Sequence, residues 1–349
     1  MAITKYYNIH EIVTASITAD DSVLREIDLH LNSFSVPRLN AKPDIIIDFF
    51  NKAPSPLRST VVDDYDYGSG VIHRKSARFW MNLQSDQQLY CMDKLSLPIN
   101  LIIQFALLKK GFTFVHGAAI SYSGKAILMP AYPGTGKTTL ISAFFNVGAK
   151  IFGDDLCIVG NGRLYSYPQA FSIYPHHLAV LPYKDRRAEV LFNRTKYIDC
   201  MRSLLINYNF RIIKIIRFVL GQLRTESVNV MPEVIFGEGA IARDADLNRV
   251  VVLERSGEIS TLVEEAVDIS VISRQAAAIL WHEWHGSFHE ILLYDAMAQS
   301  GSFFISLFDS VYNIINKSFE GVNCSRVKIP ASWDNKKLIN EFPAFLIKI

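Results

Sequence analysis

The segment from Ala131 to Thr139 constrains the fold of this chain more than any other part, because it joins a strand pattern to a helix pattern through glycines. Lys125–Met129 is a short apolar run typical of a buried strand, and Thr139–Phe145 continues with the apolar face of a helix. A strand that leads through a glycine loop into a helix places the free amides and the dipole of the helix N-terminus at the loop. The segment therefore predicts an α/β architecture with an anion-binding loop.

The residues of this loop have the properties of a phosphate-binding loop. Gly134 and Gly136 let several backbone N–H groups point at the same phosphate oxygens, Lys137 reaches the outer phosphates, and the Thr138 hydroxyl suits Mg²⁺. Ala131 stands where the usual G-x-x-x-x-G-K-[ST] pattern has its first glycine. A chance glycine turn is the alternative, but the order of strand, loop, Lys-Thr pair and helix argues against it. The predicted nucleotide-binding residues are Gly134, Thr135, Gly136, Lys137, Thr138 and Thr139.

Length and composition indicate a globular protein with a sizeable core. The chain has 349 residues, of which half are apolar and a fifth charged, and this length suggests one enlarged domain or two. The formal charge of +2 is too small to indicate a nucleic-acid partner. The N-terminus lacks the basic and apolar regions of a signal peptide. No stretch of about 20 apolar residues is present, so the sequence predicts no membrane-spanning helix.

The four cysteines point to a reducing compartment. They are scattered along the chain without a C-x-x-C pair, which is the pattern of neither a disulfide framework nor a zinc ribbon. We therefore expect a cytoplasmic protein. The cysteines are Cys91, Cys157, Cys200 and Cys324.

Strand and turn patterns divide the chain into two predicted parts. Residues 1–93 form an N-terminal α+β part of unknown role, and residues 94–349 form a P-loop domain with a helical C-terminal extension. In the first part, turn-rich pieces separate the apolar runs. The predicted strands there are Thr14–Ile17, Ile45–Phe50 and Phe79–Leu83.

The second part begins with a predicted helix and a predicted hairpin. Leu95–Lys110 has helical apolar spacing and ends in basic residues followed by a C-cap glycine. Phe112–Tyr122 then predicts a strand, and the tight turn at Ser123 and Gly124 predicts an antiparallel hairpin with the strand that carries the P-loop. The later predicted elements are strands at Gly148–Phe152, Leu156–Val159 and Arg249–Glu254, a loop-rich region at 163–190, a helix at Gln275–Ser300 and a last strand at Phe342–Ile349.

Two adjacent carboxylates follow the P-loop unusually early in the chain. Asp154 and Asp155 come 17 positions after Lys137, at the end of a predicted strand, where one strand-loop-helix-strand unit returns the chain to the phosphates. One carboxylate there can hold Mg²⁺ while the other accepts the proton of an attacking hydroxyl. Because two adjacent carboxylates resist full ionisation in a dry site, we expect one pKa to be raised. An ordinary Asp-Asp turn after a strand is the alternative.

Several of these stretches resemble the catalytic core of HPr kinase/phosphorylase and its smaller relatives, including kinases of lasso-peptide and other peptide-modifying clusters. The resemblance rests on Val115–Ala119, the hairpin, Pro133–Thr139 and Phe152–Asp155, and it covers residues 95–165, with a weaker continuation to 255. That core is related to nucleotide-dependent phosphoenolpyruvate carboxykinase. The resemblance implies an α/β P-loop core of mixed sheet with helices, whereas the smaller α+β N-terminal part is predicted from its strand and turn patterns and need not match the family.

One departure from the family concerns the acceptor. The glycine-rich signature that follows the paired aspartates in HPr kinase is not found here, and Arg163–Pro182 has tyrosines, prolines and histidines in its place. The resemblance therefore implies a kinase of this fold without implying HPr as its substrate.

The resemblance also implies roles for individual residues. It makes Asp154 the catalytic base and Asp155 a metal ligand together with Thr138, although the residues themselves leave the order of the two aspartates open. It places His116 at the phosphoryl-transfer site, with a satisfied core histidine as the alternative. It further expects a basic residue near the phosphates, for which Arg243 is the candidate and surface solvation the alternative.

Histidines elsewhere carry weaker patterns. His176 and His177 are candidates for lining an acceptor pocket, but histidine pairs in loops are more often simply exposed. His282, His285 and His289 have the spacing of metal ligands on one helical face. Gly286 weakens that helix, so helix packing with solvated histidines is favoured over a zinc site.

A basic amphipathic pattern lies within residues 201–224. Arg211, Lys214 and Arg217 share one face, opposite a broad apolar face. Packing against the core or a protomer interface is favoured over membrane contact, because the apolar surface is wide.

Together these residues predict an ATP-dependent, Mg²⁺-requiring kinase that phosphorylates a hydroxyl, with Ser or Thr of a peptide or protein as the favoured acceptor. Lys137 would draw charge from the outer phosphates, and Asp154 would take the acceptor proton. GTP or pyrophosphate stays open as the donor, since members of the resembled fold use them. The alternatives are a kinase of small hydroxyl compounds and a nucleotide-gated binding or regulatory module without transfer. The resemblance also allows for a homo-oligomer.

Overall fold

A computed structural model of the protein describes residues 2–50, 60–62, 64–68, 71–76, 79–82, 88–92, 98–132, 134–182, 186–204, 216, 227–289, 292, 296 and 303–347. The predicted basic face of Arg211, Lys214 and Arg217 lies outside these described residues. The side chain of His176 is likewise outside the described part.

Nine short strands near the N-terminus form one mixed sheet. They are β1 (Ile3–Ile9), β2 (Val13–Ala19), β3 (Ser35–Val36), β4 (Ile45–Asp48), β5 (Thr60–Val62), β6 (Tyr65–Gly68), β7 (Val71–Arg74), β8 (Phe79–Asn82) and β9 (Gln88–Cys91). Their order is β3-β1-β2-β4-β9-β8-β7-β6-β5, in which β2, β4 and β9 run parallel and the other neighbours pair antiparallel. The strands predicted near residues 14, 45 and 79 are thereby confirmed.

Alternating burial explains why this sheet forms. In β2 every second residue from Val13 to Ala19 is buried, and the residues between them are partly exposed. That period of two gives the strand one face for the core. Helix α1 (Asp21–Leu31) follows directly, and Asp20 caps it by accepting hydrogen bonds from the N–H groups of Ser22 and Val23.

A second mixed sheet contains the strand that leads into the predicted phosphate-binding loop, which is called the P-loop below. Its strands are β10 (Thr113–Tyr122), β11 (Lys125–Pro130), β12 (Lys150–Gly153), β13 (Leu156–Gly160), β14 (Arg163–Tyr165), β17 (Asp244–Ser256), β18 (Val263–Ala266) and β19 (Asn323–Pro330). Strand β11 pairs with both β10 and β17, so β10, β13, β14, β17 and β11 close into a ring. Strands β15 (Phe171–Ile173) and β16 (Val228–Val230) pair separately.

Two parallel pairings determine what lies beside the P-loop. Strand β11 runs parallel to β17, and β17 runs parallel to β19, so the carboxyl ends of all three strands lie at one edge. Because Leu128 is paired with Val250, the end of β11 at Pro130 is level with Val252. Strand β17 therefore continues past the end of β11, towards the loop.

Seven further helices complete the described architecture, which is mixed α/β. They are α2 (Ile99–Lys109), α3 (Lys137–Asn146), α4 (Arg186–Leu204), α5 (Pro232–Phe236), α6 (Ile269–Trp284), α7 (Phe303–Ser318) and α8 (Asn335–Ile347). Helix α8 packs on α3, where the rings of Phe144 and Phe342 meet edge to face at 6.1 Å. Among the described helices, none has the length and apolar character needed to cross a membrane.

The predicted hairpin is confirmed. Strands β10 and β11 pair antiparallel around Ser123 and Gly124, which both have positive φ as a tight hairpin turn requires. Gly117 lies opposite Pro130 in this pair, and a Cβ added at Gly117 would come within 2.6 Å of the Met129 carbonyl oxygen. Only glycine fits there without moving the strand that leads into the P-loop.

One predicted element is wrong and another is interrupted. Residues 342–347 of the last predicted strand, Phe342–Ile349, are instead part of α8, because Leu338, Phe342 and Leu346 are spaced by four and bury one helical face. The helix predicted over Gln275–Ser300 begins earlier, at Ile269, and is interrupted after Trp284 by a 3₁₀ turn at His285–Ser287. Gly286 lies in that turn, where its high cost in a helix favours the interruption. Residues 289, 292 and 296 are again helical, and the others of 290–300 lie outside the described residues.

The two sheets share a hydrophobic core. One cluster of buried side chains includes Tyr7 and Ile17 from the first sheet together with Phe114 from the second and Trp284 from α6. A second cluster packs α3 and α8 against β11, β17 and β19. The division at residue 93 thus coincides with a change of sheet, and whether the two parts fold independently stays a prediction.

Candidate active site

The P-loop begins where β11 ends and finishes as α3 begins. Gly136 caps α3 in the left-handed conformation, with φ of 100°, and Gly134 also has a positive φ of 78°. These conformations are readily adopted only by glycine, and they turn the backbone amides of the first turn of α3 towards one side. Ala131 is fully buried, and its carbonyl oxygen accepts a hydrogen bond from Lys137 Nζ at 3.1 Å.

Lys137 and His116 form a buried pair. Lys137 Nζ lies 2.6 Å from His116 Nε2. Because an ammonium group can only donate, Nε2 must accept, so the neutral imidazole carries its proton on Nδ1. Burial lowers the pKa of His116 to about 3, and the positive charges of Lys137 and His282 add to the effect. His116 therefore acts as a neutral acceptor that fixes the position of the ammonium group.

The charge of Lys137 is partly balanced from across the cavity. Burial lowers the pKa of Lys137, while Asp155, Asp154 and Glu283 oppose that shift. Glu283 extends from α6, with Oε1 at 3.9 Å from His116 Nε2. The ammonium group thus faces three carboxylates without a direct ion pair to any of them among the described contacts.

The two aspartates differ sharply in environment. Thr138 Oγ1 donates a hydrogen bond of 2.6 Å to Asp154 Oδ2, whereas Asp154 Oδ1 is shielded from solvent and has no hydrogen-bond partner in the described part of the chain. Burial, followed by the charge of Asp155, raises the pKa of Asp154 to about 7. Asp155 is exposed, and its backbone carbonyl accepts a hydrogen bond from Gly117 N–H at 2.9 Å.

These residues surround one cavity of about 530 Å³. Residues from the P-loop, the aspartate pair, β10, α6, the segment after β15 and the end of β17 contribute to its wall. The lining residues are His116, Gly134, Gly136, Lys137, Thr138, Thr139, Asp154, Asp155, Ser172, Tyr174, His177, Arg255, Glu283 and Asn335. The structure therefore brings together most of the predicted site residues.

Two of the predicted residues, Thr135 and His177, differ in whether they line this cavity. Thr135 is buried and turns its hydroxyl back to the Tyr132 carbonyl at 2.8 Å, so it does not line the cavity wall. His177 does line it, and its Nδ1 accepts a hydrogen bond from the Tyr174 N–H at 3.3 Å. The side chain of His176, the other member of that pair, is not described.

Arg243 lies away from the P-loop. Its side chain is 70% exposed and approaches Glu11 at 3.5 Å across a separate cavity of about 310 Å³ between the first sheet and the chain after β14. Strand β17 begins directly after Arg243, whereas the P-loop lies beside the other end of that strand. The basic side chain near that other end of the strand is Arg255, which lines the cavity.

The histidine group on α6 does not form a metal site among the described residues. His282 belongs to α6, His285 to the following 3₁₀ turn, and their rings stack at 5.6 Å, while His289 is exposed beyond both. Throughout the described ranges, no group of three or more His, Cys, Asp or Glu side chains could hold a metal ion.

Five lining residues were not predicted individually from the sequence: Ser172 and Tyr174, which lie in the predicted loop-rich region, and Arg255, Glu283 and Asn335. Arg255, Glu283 and Asn335 lie far from the P-loop along the chain and reach it through β17, α6 and α8. Arg255 had a usable signal, because it ends an apolar strand of the kind that stands beside a P-loop strand in an α/β sheet. Glu283 and Asn335 have no comparable local pattern.

The residues present fit a phosphate chain and a divalent cation. The glycine backbone, the N-terminus of α3 and the buried Lys137 all favour negative charge. Asp154 Oδ1 lacks the donor or cation that a shielded carboxylate oxygen requires. Mg²⁺ commonly uses only one or two protein carboxylates beside substrate phosphates, so a three-ligand cluster is not needed.

The likeness of this chain to known proteins is structural and weak. No protein-family model and no curated protein matches the chain. Among solved structures, HPr(Ser) kinase/phosphatase from Coxiella burnetii is similar over 68% of this chain and 96% of its own, with 11% identity and a TM-score of 0.27. At that TM-score the likeness leaves the activity and the substrate of this chain open.

Proposed function

We propose that this chain binds a nucleoside triphosphate, with ATP as the favoured donor, and transfers its terminal phosphoryl group to a hydroxyl. One observation carries the proposal: the buried Lys137 and the shielded carboxylate of Asp154, whose pKa is raised, face the same cavity as the glycines at the N-terminus of α3. A lysine and an anion-binding helix end suit a phosphate chain, and a carboxylate near neutral pKa suits proton acceptance.

The loop supplies the donor site. Backbone N–H groups at Gly136 and the first turn of α3 would bind phosphate oxygens, and Lys137 would stabilise negative charge on the outer phosphates. Thr138 and Asp155 would hold Mg²⁺, which when bound neutralises phosphate charge. The Thr138 hydroxyl can donate to Asp154 and still offer its lone pairs to the cation.

Asp154 would act on the acceptor. Its Oδ2 is engaged by Thr138, so the free Oδ1 would accept the proton of the incoming hydroxyl. The hydroxyl oxygen then forms a bond to the terminal phosphorus as the bond from that phosphorus to the bridging oxygen breaks. The bonding electrons leave with the diphosphate, and no other co-reactant is needed. Ser or Thr of a peptide or protein remains the favoured acceptor class.

His116 would position Lys137 without transferring a proton. An imidazole that is neutral down to about pH 3 cannot serve as an acid at neutral pH, but it holds the ammonium at 2.6 Å. The proposed division of labour is thus Lys137 for phosphate charge, Asp154 for the proton and His116 for orientation.

The two aspartates offer a matched test. In Asp154→Asn the hydrogen bond from Thr138 can persist, so Mg²⁺-ATP should bind within a few-fold of wild type by calorimetry. Transfer of label from ATP to a size-fractionated lysate should fall by about 10²- to 10⁴-fold, the usual contribution of a general base. In Asp155→Asn, transfer should survive but require more Mg²⁺. Asp21→Asn, an exposed residue paired with Arg25, is the control.

The outcomes separate the functional alternatives. If Asp154→Asn transfers label at the wild-type rate, Asp154 is not the base. If wild-type protein binds nucleotide but labels neither large nor small molecules in any fraction, the kinase proposal fails and a nucleotide-gated binding module is favoured. Label in the low-mass fraction alone would identify a small hydroxyl compound as the acceptor.

A further inference from the structure

Arg255 occupies the part of β17 that extends past the P-loop strand. The parallel register places Val252 level with Pro130, so Arg255 lies three residues further along, beside the loop. Ligands of open α/β sheets bind outside the carboxyl ends of the strands, and this is such an edge. Arg255 is therefore located by the sheet itself, although it is far from the loop in sequence.

One side of the Arg255 guanidinium is anchored to backbone. Its Nη1 donates to the carbonyl oxygen of Pro330 at 3.2 Å and to that of Trp333 at 3.0 Å. Pro330 is the last residue of β19, and Trp333 lies between β19 and α8, whose first residue, Asn335, lines the same cavity. These two bonds restrict the planar group to one orientation.

The other side of the guanidinium faces Gly136. Arg255 Nη2 lies 3.5 Å from the point that a Cβ on Gly136 would occupy, and it has no hydrogen-bond partner within the described ranges. Burial lowers the pKa of Arg255, with no carboxylate contributing, and the guanidinium remains charged. A partly buried cation without a counter-charge therefore lies next to the N-terminus of α3.

Arg249, on the same strand, is an arginine with a structural role and serves for comparison. Its Nη1 also donates to a backbone carbonyl, that of Leu346, at 2.8 Å, but its Nη2 forms an ion pair with Glu264 at 2.5 Å. The charge of Arg249 is thus balanced by a carboxylate of the protein, although its Nε has no hydrogen-bond partner within the described residues. Arg255 has the same kind of anchor and lacks the carboxylate, which leaves its second nitrogen for an external anion.

We propose that Arg255 binds oxygens of the donor's phosphate chain where it lies on Gly136, opposite Lys137, and so makes the site selective for polyphosphate donors. This inference rests on the proposed function and adds a specific phosphate-contacting residue to it. Arginine suits the role because its fork can hold two backbone carbonyls on one side and a phosphate on the other.

The test measures binding directly, with Mg²⁺-ATP and Mg²⁺-pyrophosphate as probes in calorimetry. Arg255→Gln should weaken both by about tenfold to a hundredfold, as expected for loss of charge-assisted hydrogen bonds. Arg255→Lys retains the charge without the fork and should lose less. Arg25→Ala, an exposed cation on α1, should bind both probes like wild type. Melting curves confirm folding, and Arg255→Lys decides the matter if Arg255→Gln does not fold.

The result that would overturn the inference differs from the one that would overturn the function. If wild type binds both probes and the folded Arg255 variants bind them equally well, Arg255 does not contact the phosphate chain while the proposed kinase stands. If wild type binds neither probe, the proposed function itself fails. Weakening of ATP with unchanged pyrophosphate would place Arg255 on the nucleoside and also overturn the inference.

Discussion

At the scale of single residues, burial suppresses charge on both sides of the cavity. It lowers the pKa of His116 to about 3 and raises that of Asp154 to about 7, so each group favours its neutral form. Desolvation is the largest cause in both cases. Lys137 and Arg255 remain as cations with little direct compensation, which is the state that a polyanionic ligand would stabilise.

The raised pKa of Asp154 predicts a pH-dependent stability. Between pH 3.8 and about 7 the folded protein holds a proton that the unfolded chain has released, so the stabilising contribution of protonation is lost as pH rises through about 7. The Asp154→Asn substitution removes the titrating carboxyl group and with it this pH-dependent loss of stability. The variant should gain stability relative to wild type as pH rises from 5 to 8, by about 3 kcal/mol. Urea unfolding of ligand-free protein at both pH values measures the difference.

The stability of the variant must be compared with that of wild type at each pH, because the titration of His116 changes stability in the opposite direction. Its lowered pKa makes stability rise with pH between about 3 and 6.5, so the wild-type curve alone would show little net slope. Glu254→Gln, a carboxylate outside the cavity, is the control and should keep a constant offset from wild type. A constant offset for Asp154→Asn as well would contradict a raised pKa.

Site residues marked by a pattern in their own segment could be predicted from the sequence. Site residues that reach the cavity only through pairing between distant strands could not. The glycines, Lys137 and Thr138 are identified by their order in one short segment, and Asp154 by its distance from that segment along the chain. Arg243 was the candidate that the resemblance gave, and the sequence alone does not show which end of β17 lies beside the P-loop. The pairing of β11 with β17 decides that choice, and pairing between distant strands leaves no local pattern in either.

At the scale of elements, the β10–β11 hairpin holds both halves of the site. Strand β10 carries His116, and β11 leads directly into the P-loop. Gly117 follows His116 in β10 and lies opposite Pro130 of β11. Its N–H donates to the Asp155 carbonyl at 2.9 Å. The contact at Gly117 therefore sets the separation of the aspartate segment, the His116 strand and the loop.

We expect Gly117→Ala to damage the site through this contact. The added methyl would lie 2.6 Å from the Met129 carbonyl oxygen and 2.8 Å from Pro130 Cα, both backbone atoms that cannot move aside. Overpacking of this kind costs about 1 to 3 kcal/mol. The free energy of unfolding should fall by that amount, and Mg²⁺-ATP affinity should fall with it.

Gly286→Ala is the matched control for that change. A Cβ there would meet nothing within 4 Å, and Gly286 has no positive φ, so the substitution should be nearly neutral. Equal stability of the two alanine variants would show that β10 and β11 can separate without cost, against the close approach seen here.

Element prediction succeeded where the period was clear and failed at the chain end. The hairpin followed from two apolar runs and a two-residue turn, which are local features. The C-terminal stretch was taken for a strand because Phe342–Ile349 is rich in apolar residues. The spacing of Leu338, Phe342 and Leu346 by four, together with the Asp334 cap that accepts from Lys337 N–H, was the helix signal.

At the scale of the whole molecule, α1 and the turn after it pack directly against the segment that follows the aspartates. Phe34 stacks on Tyr167 at 5.5 Å, and Tyr167 meets Phe114 of β10 edge to face at 4.7 Å. Backbone bonds continue the contact, since Ala170 N–H donates to the Leu29 carbonyl at 2.8 Å. That segment leads into Ser172 and Tyr174 of the cavity wall, so the N-terminal part supports this side of the cavity.

This shared core predicts that the chain unfolds as one cooperative unit. Phe34→Ala removes a buried ring that touches both parts, and it should cost about 3 to 5 kcal/mol. Native-state hydrogen exchange should show that the slowest-exchanging amides of β2 and β10 lose protection by the same free energy. Phe34 itself belongs to the N-terminal part, so an equal loss in β10 would show that the two parts unfold together. Phe50→Ala, at an exposed position of the same N-terminal part, should leave both unchanged. If β2 loses protection while β10 keeps it, the N-terminal part is a separate domain and its support of the cavity wall is dispensable.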